Sequence, residues 1–235
     1  MMNTILFDDI TRLHLLPLTY TRPVADIRCG ILTIAEKWSK HLKTTPSFLS
    51  PGYLQKKFPP RIEEQNLLIN GKLIPDAKLL QAISGIKENE VLIKDDTVLA
   101  FVANKDIVSS IMLFFEYLKP DPNKFTIKEY KDEYLSIERP WDIFSKNGDN
   151  IECDFKLLTE GRDSSEISGT NRVVSPQNVF IEEGAKVEMS IINASAGPVY
   201  IGKNAEIMEN SVIRGPFAML DHSVVKMSAK IYGPT

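Results

Sequence analysis

A chain of 235 residues, 43% hydrophobic and 25% charged, has an ordinary globular composition and can bury a full core as one large domain or two small ones. Its formal net charge is −3 and its 28 Lys and Arg are dispersed, so the electrostatic footprint of a nucleic-acid or anionic-membrane binder is missing and a small, mobile partner is expected. Cys29 and Cys153 stand alone, which argues for reduced thiols and against a structural metal.

Ile5 to Phe7 read as a short buried strand. Two acids, Asp8 and Asp9, break the apolar run, so it is read as neither a signal peptide nor a membrane span, and the expected location is the cytoplasm. A helix is predicted over about 31–42, with Ile31, Ile34, Trp38 and Leu42 on one face. Thr45 to Leu49 and Leu67 to Ile69 read as further strands, and Asp76 as the N-cap of a helix through Ala77 to Ile83. Val91 to Lys94 and Thr97 to Val102 predict a hairpin around Asp95-Asp96, followed by an apolar helix from Asp106 to Leu118. Strands alternating with helices imply a mostly parallel sheet with ligand chemistry at its strand ends. Trp141 and Phe144 read as core anchors of a helix. The polar stretch around Arg162 to Glu166 reads as a linker. The expected division is therefore an α/β domain over 1–150, a linker over 151–175 and a repeat domain over 176–235.

The repeat is the strongest signal. An aliphatic or Met residue falls at every sixth position, at Ile201, Ile207, Ile213, Met219, Val225 and Ile231, and four residues after the first five stand Ala205, Ser211, Phe217, Ser223 and Ala229. Ile181 to Ser190 fits the same template before the phase slips over Asn193 to Pro198. Irregular antiparallel strands would not keep a six-residue phase across six blocks. The pattern resembles the left-handed parallel β-helix of hexapeptide-repeat acyltransferases and of bifunctional GlmU-type enzymes, and the resemblance implies association as a homotrimer. The repeat stops part-way through a block at Ile231 to Thr235, so either a longer chain or a second chain covering the last coil is expected.

The loop after the first strand carries Thr11-Arg12-Leu13, Leu16-Pro17-Leu18-Thr19 and Thr21-Arg22-Pro23. It resembles the opening signature of sugar-1-phosphate nucleotidyltransferases, in which a Gly-rich loop with Thr-Arg-Leu precedes Pro-Leu-Thr and Arg-Pro-Lys. The stretch Glu138 to Phe144 resembles the segment that closes that domain in a divergent, GlmU-like branch. The resemblance implies a Rossmann-like nucleotidyltransferase domain, with a nucleoside triphosphate and a sugar phosphate as partners and with neither nucleic acid nor membrane. It implies phosphate neutralisation by Arg12 and Arg22, and nucleotide or sugar contacts from Thr11, Thr19, Asn70 and Gly71. As ordinary loop arginines, Arg12 and Arg22 would instead pair with Asp8, Asp9 or Asp26.

Three positions depart from the signature. Asp8-Asp9-Ile10 replaces Gly-x-Gly, Val24 replaces a lysine, and Lys72, in Asn70-Gly71-Lys72, stands where a Mg²⁺-binding carboxylate is expected. Asp8 or Asp9 is then the expected substitute Mg²⁺ ligand. The departures also fit a catalytically degenerate module that binds a nucleotide sugar or orders the oligomer. A third possibility is part of an acyltransferase, for which acetyl-CoA would be the donor. His14, His41 and His222 are too scattered to suggest a metal site, and His222, the only histidine in the repeats, reads as an exposed turn residue.

Overall fold

The computed structural model describes residues 2–112 and 125–235. These form two compact units, one of the described residues within 1–28 and 32–142 and the other of 29–31 and 143–235.

The first unit is built on a six-stranded sheet. Its strands are β1 (Asn3–Phe7), β2 (Ser47–Leu49), β3 (Gln65–Asn70), β5 (Glu90–Lys94), β6 (Thr97–Asn104) and β7 (Thr126–Glu129), in the order β2-β1-β3-β6-β5-β7. A short pair, β4 (Leu73–Ile74) with β8 (Leu135–Ser136), runs antiparallel beside it. β1 pairs parallel with β2 and β3, and β5 with β7, while β6 runs antiparallel to both neighbours. The sheet is thus mixed and mostly parallel. All five residues of β1 are buried, as a central strand covered on both faces requires. Ile5, Phe7, Leu68, Val91 and Phe101 pack on one side, with Val108 of α4 (Lys105–Ile111) among them. The rest of the helix expected to Leu118 lies outside the described residues.

Capping chemistry sets the helix ends. The first helix, α1 (Ile34–Leu42), begins three residues later than its apolar spacing suggests. Thr33 accepts the Glu36 amide and Glu36 returns a bond to the Thr33 amide, so the chain turns into the helix there and Ile31 is left outside. α2 (Gly52–Gln55) is one turn, and α3 (Ala77–Ser84) is capped by Asp76, which accepts the Leu79 amide at 2.9 Å. The helix expected at Trp141 and Phe144 is present as α5 (Pro140–Ser145), but the two rings are 57% and 70% exposed and anchor no core.

The second unit contains α6 (Asn147–Thr159) and ten short strands: β9 (Arg172–Val174), β10 (Val179–Ile181), β11 (Lys186–Val187), β12 (Ile191–Asn193), β13 (Val199–Ile201), β14 (Glu206–Ile207), β15 (Val212–Arg214), β16 (Phe217–Met219), β17 (Val224–Val225) and β18 (Lys230–Ile231). They pair only in parallel, as three sheets: β10-β13-β16, β11-β14-β17 and β18-β15-β12-β9. Val199 pairs with Phe217, Glu206 with Val224 and Val212 with Lys230, always eighteen residues on, which is three times the six-residue spacing in the sequence. The interior holds Ile201, Ile207, Ile213 and Met219, with Val225 and Ile231 packed against them. This arrangement is that of a parallel β-helix. Asn204, Asn210, His222 and Ser228 each turn the chain with φ between 53° and 62°, so exposed His222 is a turn residue.

α6 takes in residues 147–150, expected in the α/β domain, and residues 151–159, expected in the linker. Ile151, Phe155 and Leu158 of α6 recur at helical spacing and pack on Phe180, Tyr200 and Ala218, the outward residues of one sheet. At the corners the coils approach closely. A Cβ on Gly215 would lie 2.1 Å from the Gly197 carbonyl oxygen. Gly215→Ala is therefore expected to destabilise this unit by about 2–3 kcal/mol, through a forced backbone shift that urea unfolding would register.

Among the described residues, no helix is long and apolar enough to cross a membrane.

Candidate functional site

β2, β1 and β3 are adjacent and parallel, so their carboxyl ends emerge side by side. From those ends come Ser50 to Tyr53, the loop 8–24, and Asn70-Gly71-Lys72. Open sheets bind ligands outside the carboxyl ends of their strands.

The loop is a chain of 3₁₀ turns over Ile10–Leu15, Leu18–Tyr20 and Val24–Asp26, held by two clasps. Asp8, 1% exposed, makes the first. Its amide donates to the Leu49 carbonyl, its Oδ1 accepts the Val24 amide at 2.9 Å, and its Oδ2 lies 3.6 Å from Arg12 Nε. Arg12, 4% exposed, donates from Nη2 to the Thr19 carbonyl and to the Tyr53 hydroxyl, each at 2.8 Å. Thr19 donates its hydroxyl back to the Arg12 carbonyl at 2.8 Å, so the two residues lock the turn between them.

Asp9 makes the second clasp. Its Oδ1 caps the first turn by accepting the Thr11 amide and the Thr11 hydroxyl. Its Oδ2 accepts from Asn70 Nδ2 at 2.9 Å and pairs with Lys72 Nζ at 3.1 Å, and Lys72 also pairs with Glu138 Oε1 at 3.1 Å. Burial alone would raise the Asp9 carboxyl, but the Lys72 ammonium and the hydrogen bonds from Thr11 and Asn70 outweigh it and hold the group below its ordinary value. Burial would likewise lower Lys72, and its two carboxylate partners raise it instead.

Gly71 donates its amide to the Phe7 carbonyl at 2.7 Å, and a Cβ there would press on that oxygen at 3.2 Å and on Ala25 Cβ at 3.3 Å. Glycine is what lets β3 leave the sheet beside the loop.

The structure thus brings Asp8, Asp9, Thr11, Arg12, Thr19, Asn70 and Gly71 together as the scaffold of the loop. Arg12, Thr19 and Asn70 are buried and turned to internal partners. Arg22 remains exposed, facing the half-buried Asp26, whose carboxyl burial raises and the Arg22 charge lowers in part. The pairing expected of ordinary loop arginines is therefore realised by Arg12 with Asp8. In this structure the oxygens of Asp8 and Asp9, the expected Mg²⁺ ligands, meet amides, the Thr11 hydroxyl, Arg12 and Lys72, which a bound ion would have to share or displace. No group of three or more His, Cys, Asp or Glu among the described residues could hold a metal ion. Tyr53 joins the constellation through Arg12, 41 residues away in sequence, with no local pattern to mark it, and Glu138, which opens the stretch resembling the closing segment of the domain, joins through Lys72, 66 residues away.

A family model described as sugar nucleotidyl transferase matches residues 4–163. Among solved structures, the chain is similar to a putative glucose-1-phosphate thymidylyltransferase from Bacillus anthracis, solved in complex with a sucrose. The two are 12% identical, the match covers 65% of this chain and 96% of that one, and the TM-score is 0.42, a likeness too low to carry an argument. No curated protein matches the chain.

Proposed function

The chain belongs to the sugar nucleotidyl transferase family, and from that premise we propose that the first unit joins a nucleoside triphosphate to a sugar 1-phosphate. A phosphate oxygen of the sugar attacks the α-phosphorus, the bond to the β-phosphate's bridging oxygen breaks, and pyrophosphate leaves with the electron pair. The products are a nucleotide sugar and pyrophosphate. Such transfer depends mainly on positioning and on neutralising developing negative charge.

The observation that carries this reading is the convergence of three parallel strand ends on one clasped loop. Arg22 is the loop cation left exposed and is assigned to the phosphates. Arg12 is assigned to positioning, because its guanidinium is spent on Asp8, Thr19 and Tyr53. Mixing the purified protein with a panel of triphosphates, sugar 1-phosphates and Mg²⁺ should release pyrophosphate with one pairing, and Arg22→Ala should lower the rate at least tenfold while leaving the melting temperature unchanged. An equal rate in Arg22→Ala would remove Arg22 from the site.

One observation favours a second reading, that of a module that holds a nucleotide sugar without making it. Lys72 places a paired ammonium where the resemblance expects a metal-binding carboxylate. Saturable nucleotide-sugar binding by a protein that releases no pyrophosphate across the panel would select that reading. For the second unit, the resemblance to hexapeptide-repeat proteins leads us to propose a left-handed β-helix that assembles as a trimer, a state that light scattering on the eluting peak would measure.

A further inference from the structure

Tyr53 sits on the surface the wrong way round. An exposed tyrosine ordinarily packs its ring and offers its hydroxyl to water. Here the hydroxyl is tied inward, accepting from Arg12 Nη2 at 2.8 Å and lying 3.4 Å from the Thr19 carbonyl, while the residue as a whole is 60% exposed. The exposed part is therefore the ring. The Arg12 guanidinium carbon stands 6.0 Å from the ring centroid, beyond the hydroxyl that the same group holds, so the cation sits at the ring's tip and leaves its faces uncovered by that contact.

Its place is the carboxyl end of β2, directly after the strand and beside the clasped loop. Tyr20, Leu18 and Leu13 of that loop are also exposed, so the neighbouring loop presents apolar surface. Ser50, at the same strand end, buries an Oγ with no hydrogen-bond partner among the described residues, a second sign that the protein's own groups do not complete this corner.

We infer that Tyr53 is the platform on which the base of a bound nucleotide stacks, with Arg12 as the residue that positions it. The inference rests on the nucleotide reading above and deepens it, since it names the part of the ligand each residue serves. Arg22 takes phosphate, and Tyr53 takes an aromatic heterocycle. A ring fixed at its tip by Arg12 loses less freedom when a base covers it than a ring held by nothing, which makes a stacking contact more effective. The ring reads a π-face, so it sets a requirement for a base without naming which base.

The test compares two probes that share their phosphates: a nucleoside triphosphate that binds the wild type, and inorganic tripolyphosphate, which has no base. Tyr53→Ala should weaken the triphosphate roughly 5- to 150-fold and leave tripolyphosphate unchanged. Tyr53→Phe keeps the ring and should lose much less. If Tyr53→Ala fails to fold because Arg12 loses its partner, Tyr53→Gln offers Arg12 a carbonyl without a ring and carries the same expectation. Equal nucleotide affinity in the wild type and in the folded ring-less variant would overturn the inference while leaving the nucleotide reading standing. Failure of every nucleotide to bind the folded wild type would overturn that reading, and the inference with it.

Discussion

Lys72→Met is expected to lower the stability of the first unit by about 2–3 kcal/mol. Removing one partner from a buried ion pair commonly costs about 3–5 kcal/mol, and the figure is discounted here because Glu138 is partly open to solvent. The pH dependence should weaken as well. In the wild type, the depressed Asp9 carboxyl contributes stability that is present above its ordinary value of 3.8 and is lost as pH falls through its lower folded value. The raised Lys72 ammonium contributes stability that is present below 10.5 and is lost as pH climbs through its higher folded value. The clasp should thus hold across the range between. Without Lys72, burial of Asp9 is opposed by the hydrogen bonds from Thr11 and Asn70 alone, so its carboxyl lies higher than in the wild type. The variant should then lose less stability than the wild type as pH falls below 3.8. Urea unfolding at a series of pH values measures both effects, and a variant that tracks the wild-type profile would show that the clasp carries no weight.

Arg12→Met should cost about 3 kcal/mol, through the loss of a buried guanidinium that holds an almost inaccessible carboxylate, a backbone carbonyl and the Tyr53 hydroxyl at once. Hydrogen exchange should accelerate in the loop more than in β1. The contrast with Arg22→Ala is the informative part. An exposed arginine without such partners should leave stability within about 0.5 kcal/mol. One arginine of the loop signature is therefore expected to act on the fold and the other on the ligand. A melting curve for Arg12→Met that superimposes on the wild type would refute the division.

The β-helix was legible in the sequence because its period is written in one residue type: the positions from Ile201 to Met219 that recur every six residues are the ones that fill the interior. Asp76 was legible as a cap because capping is local chemistry. The loop signature could not say which arginine turns inward. That depends on Asp8 and Tyr53 meeting Arg12, and one of those partners is 41 residues away. Lys72 could be noticed as a misplaced charge, but its clasp with Asp9 and Glu138 exists only once β3, β8 and the loop are assembled. No helix was expected within the linker 151–175, because α6 shows a single narrow stripe, Ile151, Phe155 and Leu158, among charged neighbours. Trp141 and Phe144 misled for the opposite reason, since large rings are expected inside and these two are exposed.

The nucleotide is proposed to bind at the carboxyl ends of β2, β1 and β3. Hydrogen exchange followed by mass spectrometry, with and without a nucleoside triphosphate and a sugar 1-phosphate, tests that placement directly. Protection gained in peptides covering 8–24 and 50–55 is the predicted result, and protection confined to 172–232, with the loop unchanged, would contradict it.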